Sequence, residues 1–218
     1  IFFVASRGHH ADIGGITPGS MPAFSKNINE EGIVFDGFPI LEKGKIKEQQ
    51  LLKKLNEKKY GSRDPEQNLY DIKAQLASNQ RGILELKRII SSYGKETVNK
   101  YVDFIKENCS EIIFKEIKKI SYSEFSSKMD NGALIKVKIN FDKKIKKLKI
   151  DFTGSSEQLS NNFNTPLAVT KSVIIYFLRT LITKDIPLNE GFLKDIVIII
   201  PNNSMLNPSY PSPVVAGN

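Results

Sequence analysis

Both histidines of this 218-residue chain stand side by side near its start, in the run Arg7-Gly8-His9-His10-Ala11-Asp12-Ile13-Gly14-Gly15-Ile16-Thr17-Pro18-Gly19-Ser20-Met21-Pro22. Imidazole and carboxylate are ligands for a divalent metal, and equally the groups that take and give protons near neutral pH. The glycines among them let the backbone turn tightly or pass close to a ligand. In an extended backbone His9 and His10 point to opposite sides, so they do not readily share one ion. Asp12 lies three residues beyond His9, where one turn would bring the two together as co-ligands or as an imidazole held by a carboxylate. Arg7 offers a planar fork to a substrate carboxylate or phosphate, or to Asp12 as a plain ion pair.

The neighbouring segments have to position this run. Ile1 to Ser6 reads as a buried strand delivering the histidines onto a long ordered loop at residues 7–30, a length that inside a compact domain is usually functional. Gly32 to Leu41 reads as a second strand, Glu42 to Lys45 as a turn and Ile46 to Lys58 as a short helix. Asp64-Pro65-Glu66-Gln67 carries a cap residue, a first-turn proline and a capping-box partner. Leu69, Ile72, Leu76, Ile83, Leu86 and Ile90 then stripe a long helix closed by Gly94. Val98, Tyr101, Val102, Ile105, Cys109, Ile112 and Ile113 stripe another, expected to pair antiparallel with the first. Leu134 to Phe141 and Leu148 to Phe152 alternate apolar and polar residues as two strands of a hairpin. A helix capped by Thr165 and opened by Pro166 runs to about Ile182, and Ile196 to Ile200 forms an apolar strand. The expected fold is mixed α/β (α+β-like), β-rich parts with an inserted antiparallel helical hairpin. Its regions are 1–63 (strand and His/Gly loop), 64–120 (helical hairpin) and 130–218 (hairpin, helix and strand).

A net charge of +8 raises the question of a polyanion partner. The lysines are dispersed, and the densest group, Asp142 to Lys149, falls at the hairpin turn, where lysines keep a strand face solvated. Neither interleaved aromatics nor arginine base readers accompany them, so nucleic-acid binding is not expected. Cys109 is the sole cysteine and sits on an apolar helix stripe, as a small buried hydrophobe does. No apolar run is long enough to span a membrane, and the expected location is the cytoplasm. The turns Thr153-Gly154-Ser155-Ser156 and Asn161-Asn162-Phe163-Asn164 lie between a strand and a helix, where they serve as caps or as an anion cradle. No phosphate-binding G-x-x-x-x-G-K-[ST] or dinucleotide fingerprint is present.

The Arg7 to Pro22 run resembles that of the hydantoinase B/5-oxoprolinase family, closest to the B-type half of 5-oxoprolinases. Four further stretches agree in order: Asn68 to Gly82, Asp151 to Thr170, Asp185 to Gly191 and Val214 to Asn218. The chain begins without Met and stops within one of these motifs, which reads as an internal fragment of a larger protein. The resemblance implies ATP-dependent opening of the lactam of 5-oxo-L-proline to L-glutamate, with ATP used at an A-type half, fused or separate, and not bound here. It implies a divalent metal ion, with His9 matching one ligand and the others on an upstream His-x-x-Asp motif outside this sequence. On that reading His10 and Asp12 are the catalytic proton carriers, and Arg7 binds substrate. An oligomer is expected. The alternatives are a hydantoinase B or ketone carboxylase subunit of the same family, or a basic module that binds without catalysis.

Overall fold

The computed structural model describes residues 1–57 and 59–218. After two short 3-10 turns, Pro18–Ser20 and Ile28–Glu30, comes a two-strand ribbon, Leu41–Glu42 (β1) against Lys45–Ile46 (β2), reversed at Lys43-Gly44 as the turn residues predict. Helix α1 follows at Glu48–Leu55 and buries Leu51 and Leu55 completely. Asp64 then caps helix α2 (Pro65–Tyr93), its carboxylate accepting from the Gln67 N–H at 3.0 Å. The reciprocal half of a capping box is missing, because the Gln67 side chain donates forward to Asp71 at 2.8 Å instead. Leu69 and Ile72 of α2 meet Leu51 and Leu55 of α1, and Ile13, Ile33, Phe35, Phe38 and Ile40 close over them. This core belongs to the first of two compact units, Ile1–Gly94 with Ser160–Asn162 and Tyr210–Ala216.

The second unit holds Lys95–Leu159, Phe163–Ser209 and Gly217–Asn218. Helix α3 (Lys95–Ile117) begins directly after Gly94 and buries Cys109, Ile113 and Ile117. A four-stranded sheet follows in the order β3 (Ser123–Lys128), β4 (Leu134–Asp142), β5 (Lys147–Asp151) and β6 (Ile196–Ile199). The first three strands pair antiparallel, and β6 joins β5 in parallel after the crossover helix α4 (Leu167–Thr180). Leu148 and Ile150 of β5, Ile174 and Leu178 of α4, Phe192 and the α3 stripe form one apolar core. Burial pushes the Cys109 thiol above its ordinary value, against a smaller opposite pull from the Asn189 side chain. This cysteine packs rather than reacts.

Two expected strands are absent. Ile1 to Ser6 is extended, but no described strand pairs with it: Ile1 and Phe3 are 99% and 92% exposed, while Val4 and Ser6 lie along α2. Residues 32–40 lend side chains to the core without a ladder, since Gly37 and Pro39 interrupt them, and of that expected strand only Leu41 is paired, in β1. Besides the short β1 and β2 around the expected turn, one further strand that the sequence does not announce is present, β3. All six of its residues are exposed, so it carries no apolar alternation. At the start of α4 the capping position belongs to Pro166, with no side-chain cap, and the Thr165 N–H donates to Met205 O.

Candidate functional site

The histidine loop is built by two glycines that no other residue replaces. Gly14 and Gly15 have φ of +97° and +90°, where side chains are strained. A Cβ on Gly14 would fall 2.1 Å from the Tyr60 carbonyl oxygen, and one on Gly15 would fall 2.7 Å from that of Glu30. The close approach is used for pairing: Gly15 N–H donates to Tyr60 O at 2.9 Å and Ile16 N–H to Glu30 O at 2.8 Å. Ser20 Oγ closes the loop from within, accepting from Ile13 N–H and donating to Gly14 O, both at 2.7 Å.

Asp12 sits at the centre of that loop. Its Oδ1 accepts from Gly14 N–H at 2.8 Å and Arg63 N–H at 3.4 Å, and its Oδ2 from Gly19 N–H at 2.8 Å and Arg63 Nη1 at 2.9 Å. Arg63 also reaches Gly15 O through Nη2 at 2.9 Å. Burial alone would push the Asp12 carboxyl up, but the Gly14 and Gly19 N–H groups and Arg63 together bring it below its ordinary value. A carboxylate so occupied is a weak base with no free oxygen for a metal. The partner foreseen for Asp12, either His9 or Arg7, is replaced by Arg63, fifty-one residues away.

His10 is the half-buried histidine, with a side-chain exposure of 17%. Its Nδ1 faces α2, 3.3 Å from Asp71 Oδ2 and 3.2 Å from Asn68 Nδ2. Asn68 is itself held, donating to Asp12 O at 2.8 Å and accepting from the Ser62 hydroxyl. Asp71 is held by Gln67. His10 Nε2 has no partner among the described residues. His9 and Arg7 are exposed and make no hydrogen bond or ion pair with any described residue. The structure therefore joins His10 and Asp12 through Asn68, and joins neither to His9 or Arg7.

Arg63, Asn68 and Asp71 escaped the sequence reading. A signal existed for two of them. Asn68, Asp71 and Gln75 fall at helical spacing beside the apolar stripe Leu69, Ile72 and Leu76, giving α2 a polar seam. Along that seam Ser6 Oγ donates to Gln75 O at 3.2 Å, and Gly8 leaves room for the Gln75 amide.

Three other expected motifs are structural. The Asn162 amide donates to Pro22 O at 2.8 Å, and Asn162 O accepts from Ala216 N–H at 3.1 Å. Buried Glu31 accepts from the N–H groups of Val214 and Val215 at 2.8 Å and 3.1 Å, and from Ser25 Oγ at 2.5 Å. Ser155 and Ser156 spend their hydroxyls on the backbone of Lys136 and Leu134 in β4 rather than capping a helix. A cleft of about 1070 Å³ lies between Gly32–Asp36, Lys54 and Tyr60, and neither histidine lines it.

A metal fits this chain only in part. Among the described residues no three His, Cys, Asp or Glu side chains converge to hold an ion, and a catalytic site generally takes three from the protein. The exposed, unpartnered imidazole of His9 is a fitting single donor. No described helix is long and apolar enough to cross a membrane.

A partly buried carboxylate organises this double-glycine turn, and one of its two histidines is held against α2. The hydantoinase B/oxoprolinase family model matches residues 1–218, and the chain belongs to that family. It is 40% identical over its whole length to 5-oxoprolinase 1 of Arabidopsis thaliana, and 40% identical over its whole length to 5-oxoprolinase of Dictyostelium discoideum. It spans 19% and 18% of those proteins respectively. Its fold matches the crystal structure of an ATP-dependent caprolactamase from Pseudomonas jessenii, with a TM-score of 0.76 and 19% identity, over 96% of this chain and 36% of that one.

Proposed function

We propose that this chain is part of the B-type half of an ATP-dependent 5-oxoprolinase and supplies groups that hydrolyse the activated lactam of 5-oxo-L-proline to L-glutamate. The observation that carries this reading is the presented histidine loop, in a chain 40% identical over its full length to proteins named 5-oxoprolinase. ATP is consumed at the A-type half, whether fused or a separate partner, and phosphorylation there converts the lactam oxygen into a phosphate ester of an imidate. Water then adds to that carbon while His10 Nε2 takes its proton, which requires hydrogen-bond reach and an imidazole with one nitrogen free. The ring C–N bond breaks with the proton returned to nitrogen, and a second water hydrolyses the resulting acyl phosphate to carboxylate and phosphate. Arg7, exposed and unpaired among the described residues, binds the substrate α-carboxylate through its fork in this reading. Asp12 serves by holding the loop rather than by moving protons, since four donors already occupy its oxygens. A divalent ion held in part by His9 would polarise oxygen or acidify a bound water.

The test is 5-oxoproline-dependent glutamate release with metal analysis on the complete enzyme. His10→Ala is expected to lower kcat by about 100-fold or more, the scale of a lost general base. His9→Ala is expected to lower metal content together with turnover. Full activity and full metal in both variants would overturn the assignment. A complete wild-type enzyme that turns over a hydantoin or a ketone instead would move the chain to a sibling of the same family.

A further inference from the structure

We infer that Asp71, seconded by Asn68, is the positioning residue of this site: it acts through His10, fixing the imidazole so that Nε2 alone is presented. The inference rests on the reading of His10 given above. Three facts converge on it. His10 Nδ1 lies 3.3 Å from Asp71 Oδ2, the acceptor for its proton in the tautomer that leaves Nε2 free, and 3.2 Å from Asn68 Nδ2, which fastens the loop beside it by donating to Asp12 O at 2.8 Å. Both fasteners are carried one turn apart on α2, a 29-residue helix whose first half is packed through Leu69 and Ile72, so they do not move with the loop. Each fastener is itself held in place. Gln67 donates to Asp71 Oδ1 at 2.8 Å, and the Ser62 hydroxyl donates to Asn68 Oδ1, which fixes the amide with its nitrogen toward Asp12 O.

A solvent-exposed ion pair would not need this second layer, and Asp71 has no basic partner other than His10 among the described residues. An imidazole held by a carboxylate on one nitrogen keeps its ring plane and leaves the other nitrogen aimed, the arrangement that orients working histidines generally. His9, one residue away, lacks every part of it. The two adjacent histidines are thereby set apart by structure: one is pinned, the other free.

The experiment is a double-substitution cycle on the complete enzyme, with kcat and KM for 5-oxoproline and the thermal midpoint read together. Asp71→Ala is expected to lower kcat by about 10- to 100-fold, the usual cost of losing such an orienting carboxylate, with KM within about 3-fold and the midpoint unchanged. Asp71→Asn, which retains one acceptor oxygen, should recover part of the loss. In the His10→Ala background Asp71→Ala should cost nothing further, because a group that acts only through His10 has nothing left to position. Wild-type activity in Asp71→Ala, or losses that multiply in the double variant, would overturn the inference. If the wild-type enzyme fails to convert 5-oxoproline, the substrate reading falls, and crystal structures of wild type and Asp71→Ala decide the positioning separately. A rotated or disordered His10 ring in the variant supports it, and an unchanged ring overturns it.

Discussion

Asp12 and His10 share the Asn68 amide, yet their surroundings give them different work. Asp12 is satisfied by two loop N–H groups and Arg63, and its carboxyl is held below its ordinary value of 3.8. The sign of its effect on stability follows. A depressed carboxylate contributes fully above pH 3.8, and the contribution is lost as pH falls through the lower folded-state value. Asp12→Ala should therefore destabilise the first unit by about 2–4 kcal/mol at neutral pH, the cost of leaving loop N–H groups unpaired in a partly buried site. The difference from wild type should shrink below pH 3.8, which denaturant melts at several pH values would measure. His9 carries no such structural burden, so His9→Ala should leave the melting midpoint unchanged while altering metal content. A midpoint lowered as far as in Asp12→Ala would show that His9 is part of the loop's frame.

The elements that hold these residues were legible where chemistry was local. Asp64-Pro65 before an apolar stripe announces α2, and lysine alternation announces β4 and β5, because caps and period are written in neighbouring residues. Ile1 to Ser6 was misread because β-type residues in an extended chain do not reveal whether a partner strand exists. β3 was missed for the opposite reason: Ser123 to Lys128 has almost no apolar content, and pairing with β4 alone makes it a strand. In the site, the loop residues were legible as a group, but Arg63 and Asp71 were not, since a contact across 51 or 61 residues leaves no local pattern. Gly14→Ala should destabilise by more than about 2 kcal/mol through both strain and overlap with Tyr60, whereas an ordinary helix-surface alanine would not. Thermal melts of Gly14→Ala beside Ser78→Ala on α2 make that comparison. On the sheet, the Lys136 ammonium and the Tyr122 hydroxyl hold the Glu124 carboxyl down to about 2. Its contribution is present above 4.5 and lost as pH falls through about 2, so Lys136→Met should move its NMR titration midpoint up toward 4.5.

At the scale of the molecule, ion pairs consume bases and acids one for one, so the net charge of +8 stays over, spread along the chain rather than gathered in one patch. Lys136 and Lys138 face Glu124, Lys149 faces Asp151 and Arg63 faces Asp12. Polyanion affinity should therefore be weak and lost by physiological salt, which titration of fluorescent single-stranded RNA at two ionic strengths would show. A salt-resistant complex would revive the reading as a basic binding module. The two units also bear on manufacture, through the Glu31 carboxylate and the amides of Val214 and Val215 that satisfy it, 183 and 184 residues further on. A ribosome adding about 5–20 residues per second needs on the order of 10–40 s to cover that interval. Throughout it, the histidine-bearing unit waits with a carboxylate destined for burial and nothing to bury it against. Its completion is set by the clock of translation, and a nascent chain stalled before Val214 would leave the ribosome with the histidine-bearing unit unfinished.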